Sequence, residues 1–157
     1  MSNQSSELLN QAINLASESI DSGGGPFGAL VVRNGKVIAT GSNMVTSSND
    51  PTAHAEVMAI RKASAILGTF DLSGCEIYSS CEPCPMCLGA IYWAHIDKVF
   101  YAASKDDARE AGFDDRFIYD ELELELADRK VPFVQNKQES AIKVFEKWKN
   151  KTDKTSY

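Results

Sequence analysis

Apolar and polar positions follow two periods along this chain. Leu8, Leu9, Ile13, Leu15, Ala16 and Ile20 form an approximate helical stripe over residues 5–21, with Ser5 or Ser6 as the expected cap. Gly23-Gly24-Gly25-Pro26 breaks that run. Two β-rich runs follow, Phe27–Arg33 and Val37–Gly41, on either side of Asn34-Gly35. Asn-Gly between such runs predicts a hairpin, because both turn positions want positive φ. Asn43–Asp50 is polar and turn-rich, and Pro51 stands where a helix is expected to enter. From Thr52 to Leu67 the positions Ala53, Val57, Ile60, Ala63 and Leu67 recur at helical spacing, and Gly68 ends the run. Cys75–Ser79 reads as a short strand, Cys84–Ala94 as a second helix and Lys98–Ala103 as another strand.

Beyond residue 104 the pattern becomes more polar. Lys105–Arg116 reads as a charged loop or short helix, and Arg116–Arg129 as an exposed helix with an acidic stretch over Asp120–Glu125. Val131–Gln135 is predicted to be the last strand, and Gln138–Lys151 an amphipathic helix with Ile142, Val144, Phe145 and Trp148. A hairpin followed by strands with helical crossovers places the chain in the α/β class. The expected architecture is three-layer α/β/α, with helices on both faces of a five-stranded mixed sheet. No repeat or linker interrupts the 157 residues, so one domain over 1–157 is expected.

Composition changes this picture little. The hydrophobic share of 43% is that of an ordinary globular protein, which excludes a disordered chain. The formal net charge of −6 matters more, because a protein that grips nucleic acid through phosphates favours a basic surface. The Lys143–Lys154 run reads as a solvated helix face before it reads as a basic patch. The first residues show no basic region followed by an apolar run, and no stretch approaches the roughly 18 apolar residues of a membrane helix. A cytoplasmic protein without a membrane partner is expected. In a reducing compartment the four cysteines Cys75, Cys81, Cys84 and Cys87 suit a metal or catalytic role better than disulfides.

Two short segments hold the candidate chemistry. Thr52-Ala53-His54-Ala55-Glu56 gives H-x-E, and Pro83-Cys84-Pro85-Met86-Cys87 gives P-C-x-x-C. One imidazole and two thiolates make a zinc site with an open fourth position, where water binds. Cys84 and Cys87, three apart on one helix, share a face. Helix starts near both segments would turn positive ends toward the ion and favour thiolates. Glu56 is then free to move protons between water, a ring nitrogen and a leaving amine. Backbone N–H groups of Ala55 and Cys84 stand near the same helix starts and are candidates to polarise a substrate. The signature is that of zinc-dependent nucleobase deaminases. Two other readings share parts of it. Cys81 as a fourth ligand would make a closed structural site, and C-x-x-C alone also occurs in dithiol redox pairs. Cys75 reads as a buried strand residue.

At these residues the chain resembles the cytidine-deaminase-like zinc hydrolase superfamily. Within it, the chain is similar to the bacterial branch that acts on guanine. The likeness spans nearly the whole chain. It includes Gly24-Gly25-Pro26-Phe27-Gly28-Ala29, the run from Asn49 to Glu56, the run from Ser80 to Ala94, and Ala111-Gly112-Phe113-Asp114-Asp115. The zinc motifs alone specify the superfamily, whereas Tyr92-Trp93, the Gly-Phe-Asp-Asp loop and Tyr157 narrow it. The resemblance implies that His54, Cys84 and Cys87 bind zinc and that Glu56 shuttles protons. It implies that Asn43, Asp115 and Tyr157 line a purine site. It further implies a homodimer whose C-terminal segment crosses to the partner, so that Tyr157 serves the other subunit's site. The implied reaction converts guanine and water to xanthine and ammonia.

Each supporting residue also has a plainer reading. Asn43 follows a strand and suits a turn. Asp115 suits a helix cap at Arg116, with Asp114 a weaker ligand. Tyr157 suits a frayed terminus. Phe27 and Trp93 could wall a flat base or fill a core, and His95 reads as a surface histidine. Among functions, the alternatives are deamination of guanosine, cytosine or adenosine in tRNA, and a non-catalytic zinc-stabilised protein.

Overall fold

The computed structural model describes residues 3–157. These divide into two compact units, the first ending at Asp115 and the second spanning Arg116–Tyr157.

In the first unit, α1 covers Asn3–Asp21 and leads to the hairpin of β1, Gly28–Arg33, and β2, Lys36–Ser42. Asn34 and Gly35 have φ of 52° and 72°, so the turn has the predicted positive-φ geometry. A one-turn helix, α2, occupies Val45–Ser48, and α3 runs over Ala55–Leu67. Next come β3, Cys75–Cys81, then α4, Pro85–Trp93, then β4, Lys98–Ala103, and a short α5 at Lys105–Glu110. The sheet order is β2-β1-β3-β4. β1 runs antiparallel to both neighbours, while β3 and β4 are parallel and joined through α4. The fold is therefore α/β/α with a mixed sheet, as expected.

Alternation along β1 sorts the two cores. Leu30 and Val32 pack with Tyr78 against Leu8, Leu9 and Ala12 of α1. Ala29 and Val31 face the other way, where Ile77 and Ala39 meet Ala55, Ala59 and Ala63 of α3 and Ile91 and Ala94 from the α4 segment. The alanines recur every four residues, which presents one smooth face of α3 to the sheet. Gly41 completes this close approach. A Cβ there would lie 2.1 Å from the Ala55 carbonyl oxygen. No helix among the described residues is long and apolar enough to cross a membrane.

The described residues contain four strands, not the five expected. Val131–Gln135 is irregular, and Val131, Phe133 and Val134 are exposed. Pro132 has no N–H to give a ladder, so the β-rich composition of this run does not make a strand. The helix expected over 116–129 ends early. α6 covers only Arg116–Glu123, because Arg129 folds back and donates to the carbonyls of Leu122 and Leu124 at 3.4 and 3.3 Å. The last helix, α7, covers Glu139–Asn150. Ser5 and Ser6 lie inside α1 rather than capping it, and Ile13 and Ile20 of its stripe are exposed.

Candidate active site

The two donor segments sit at helix N-termini by the same device. His54 is the N-cap of α3 and Cys84 the N-cap of α4, both with extended backbone. Their carbonyls accept the first helical bonds, from Met58 and Leu88 at 2.9 and 2.8 Å. Neither side chain caps its own helix, so each remains available to the cluster. Pro85 at the first position of α4 has no N–H to leave unpaired there. His54 is delivered by a turn and not by the predicted helix entrance at Pro51. Asp50 accepts from the backbone N–H and hydroxyl of Thr52 at 2.8 and 2.7 Å, and helical structure begins only at Ala55. Met44 N–H then bonds the Ala53 carbonyl at 2.9 Å, which ties this turn to the end of β2.

Together these elements converge three donors. His54 Nδ1 lies 3.6 Å from Cys84 Sγ and 3.6 Å from Cys87 Sγ, and all three ligand atoms fall within 4.8 Å of one another. Tetrahedral zinc, with bonds of about 2.3 Å to sulfur and about 2.0–2.1 Å to nitrogen, spans a sulfur–nitrogen edge of about 3.6 Å. The donor set therefore fits zinc in both type and spacing. Cys81 does not join it. Its thiol points to the Ser104 carbonyl at 3.5 Å, and the group of converging donors among the described residues stops at three.

The electrostatics fit a cation as well. The Cys87 thiol, followed by the His54 ring, holds the Cys84 thiol down at about 4 despite partial burial. Cys87 is pushed up by its contact with Cys84, by burial and by Glu56. Binding a divalent ion requires both sulfurs as thiolates, so uptake of the ion releases protons from the pair. The Cys84 sulfur raises the His54 pKa. Burial pushes the Cys81 thiol up to about 11.

Glu56, on the first turn of α3, is 5% exposed. Its Oε2 lies 3.3 Å from Cys87 Sγ, and its Oε1 accepts from Ser79 Oγ at 3.0 Å. Burial raises its pKa, while its own N–H, Cys87 and Ser79 oppose that rise. A carboxyl group with a raised pKa beside an open ligand position is suited to taking up and releasing a proton.

The other predicted residues are placed less uniformly. Ala55 is fully buried at the start of α3, beside His54 and Glu56. Asn43, buried just past β2, donates its N–H to the Phe27 carbonyl at 3.1 Å and accepts from Val45 N–H at 3.2 Å through Oδ1. Phe27 is partly buried, and its ring meets Phe113 edge-on at 4.9 Å, which joins the glycine-rich loop to the loop carrying Asp115. The Asp115 carboxyl is raised by burial and then by the charge of Cys84, which puts it within electrostatic reach of the cluster. Trp93 is not brought to the cluster. It ends α4, about 13 Å of helix rise from Cys84, and is 67% exposed. His95 is a surface residue 3.5 Å from Asp71. Tyr157 belongs to the second unit and is exposed. Sequence reasoning missed Ser79. Its strand also carries Glu76, Tyr78 and Ser80, so residue type alone did not mark it.

Comparison with known proteins agrees with this geometry. Residues 2–103 match the cytidine and deoxycytidylate deaminase zinc-binding region. The chain is 54% identical to a guanine deaminase of Bacillus subtilis over 151 residues, which is 96% of this chain and 97% of that protein. An X-ray structure of the Bacillus subtilis guanine deaminase superposes with a TM-score of 0.95 at 52% identity, covering 100% of this chain and 99% of the other. A tRNA-specific adenosine deaminase of Aquifex aeolicus is 41% identical over 96 residues, 61% of this chain and 64% of that protein.

Proposed function

The chain belongs to the cytidine and deoxycytidylate deaminase zinc-binding family, and from that premise we propose that it is a guanine deaminase, a zinc hydrolase that converts guanine and water to xanthine and ammonia. The observation that carries the chemistry is the convergence of His54 Nδ1, Cys84 Sγ and Cys87 Sγ beside the Glu56 carboxylate. Near-full-length similarity to a guanine deaminase supports the substrate.

His54, Cys84 and Cys87 would hold the zinc ion, and Glu56 is the acid–base group. A bound zinc ion would supply the acidification that makes water a nucleophile at neutral pH. Glu56 takes the first proton from the attacking water and delivers it to the ring nitrogen next to carbon 2, as oxygen adds to that carbon. It then carries the second proton to the amino group. The carbon–nitrogen bond breaks, ammonia leaves, and the carbonyl of xanthine remains.

Asn43 and Asp115 orient the purine. Asn43 offers its amide N–H₂, because its Oδ1 is already engaged by Val45. Asp115 accepts from ring and amino N–H groups. Phe27 walls the base, and the N–H groups near Ala55 face the reacting edge. The protein acts as a cytoplasmic homodimer. Each chain functions as one domain, and the C-terminal segment of each subunit brings Tyr157 to the other's site. The net charge of −6 disfavours a tRNA substrate.

The test is release of ammonia by zinc-loaded protein from guanine, guanosine, cytosine and adenine. The proposal expects turnover of guanine well above the others, with xanthine as product. Absence of guanine turnover, with another member of the panel consumed, would overturn it.

A further inference from the structure

The site has a support that the donor motifs do not contain. β3 lies between β1 and β4, and Ser79 is paired with Ala29 on one side and Tyr101 on the other. Its backbone is therefore held by both neighbours, and its side chain is 1% exposed. From that fixed point the hydroxyl donates to Glu56 Oε1 at 3.0 Å. The other carboxylate oxygen, Oε2, faces Cys87 Sγ at 3.3 Å and so lies on the cluster side. The next residue, Ser80, points to the opposite face of the sheet and accepts from Gly28 N–H at 3.0 Å. Only the Ser79 hydroxyl of this pair reaches the acid–base group.

We propose that Ser79 is a positioning residue that holds Glu56 Oε1 so that Oε2 is the oxygen presented to the reacting atoms. The terminal torsion of a glutamate, which turns its carboxylate plane, rotates with little resistance. Fixing one oxygen from an interior strand sets the plane of the other. Proton transfer between groups at hydrogen-bond distance is sensitive to such placement, so the effect falls on the chemical step and not on purine binding. This inference rests on the reading of Glu56 as the proton carrier.

The experiment compares wild type, Ser79→Ala, Ser79→Thr and near-isosteric Ser79→Cys. Each is measured for zinc content, melting temperature, kcat and KM for guanine, and each is crystallised. Ser79→Ala is expected to keep full zinc and to lose about tenfold or more in kcat, with KM changed less than about twofold. Its crystal structure is expected to show the Glu56 carboxylate rotated away from Cys87. Ser79→Thr, which keeps the hydroxyl, recovers most of the rate, whereas Ser79→Cys, a weak donor, resembles the alanine variant. A rate equal to wild type in Ser79→Ala would overturn the proposal. So would an unmoved carboxylate, or a loss that appears in KM alone or tracks zinc. If Ser79→Ala does not fold, the contrast between Ser79→Thr and Ser79→Cys decides in the same way. Wild-type protein inert toward guanine would instead defeat the functional reading itself, so the two failures are distinguishable.

Discussion

The two units of this chain bury their apolar residues to very different degrees. In the first, Leu30, Val31, Val32 and Ile77 are almost fully enclosed, and α1 and α3 each have a partner face on the sheet. In the second, neither α6 nor α7 has a buried residue, and Ile142, Phe145 and Trp148 lie exposed along α7. An amphipathic helix with an uncovered stripe of that size signals a surface that meets something else. The first unit therefore supplies stability and holds the donor cluster. In the function proposed above, the second unit supplies the surface for the dimer and carries Tyr157.

Changes to the donor set test that division most severely. Cys84→Ala should lose zinc and essentially all turnover, with loss of stability as well, because Cys84 begins the helix that carries Ile91 into the core. Metal analysis showing full occupancy in that variant would break the assignment. Packing in the first unit comes next. Gly41→Ala forces a methyl to within 2.1 Å of the Ala55 carbonyl oxygen, and should cost about 2–3 kcal/mol in denaturant unfolding. A neutral result would mean that α3 can move off the sheet without consequence.

A change on α7 should act differently. Phe145→Glu, at an exposed position, is expected to shift the protein from dimer to monomer in sedimentation and to lower turnover. The melting of the first unit should change little. Unfolding of the whole chain with no change in association would contradict the division of labour. The smallest effect is expected at α5, where Ser104 and Asp107 form a reciprocal capping box. Bonds from the Ser104 hydroxyl and N–H hold the Asp107 carboxyl below its usual 3.8. A carboxyl lowered in the folded state adds stability that is full above the unfolded value and is lost as pH falls through the folded one. The stability gap between wild type and Asp107→Asn should accordingly be present at pH 7 and close below about pH 4. A gap unchanged at low pH would remove the carboxylate from the cap.

What the sequence discloses follows the same division. The hairpin at Asn34-Gly35 and the stop at Gly68 are local matters of backbone preference and stand as read, whereas α3 begins at Ala55 rather than Thr52 and buries Ala55, Ala59 and Ala63. His54, Glu56, Cys84 and Cys87 are visible because metal chemistry restricts residue type and spacing tightly. Val131–Gln135 misleads for a physical reason. β-propensity measures how well side chains fit a half-buried pleated surface, and this run has no such surface in its own chain. The early end of α6 depends on Arg129, a contact no periodicity encodes. Ser79 is equally silent, since a serine in a strand takes its meaning from the helix packed across from it.

The central claim is that a zinc ion held by His54, Cys84 and Cys87 works with Glu56 to deaminate guanine. It is tested most directly by replacing Glu56 with Gln and measuring zinc content and xanthine formation on the same sample. The predicted result is full zinc occupancy with turnover lowered at least about a hundredfold, the scale of general acid–base catalysis. Turnover surviving at the wild-type rate in zinc-loaded Glu56→Gln would contradict the account.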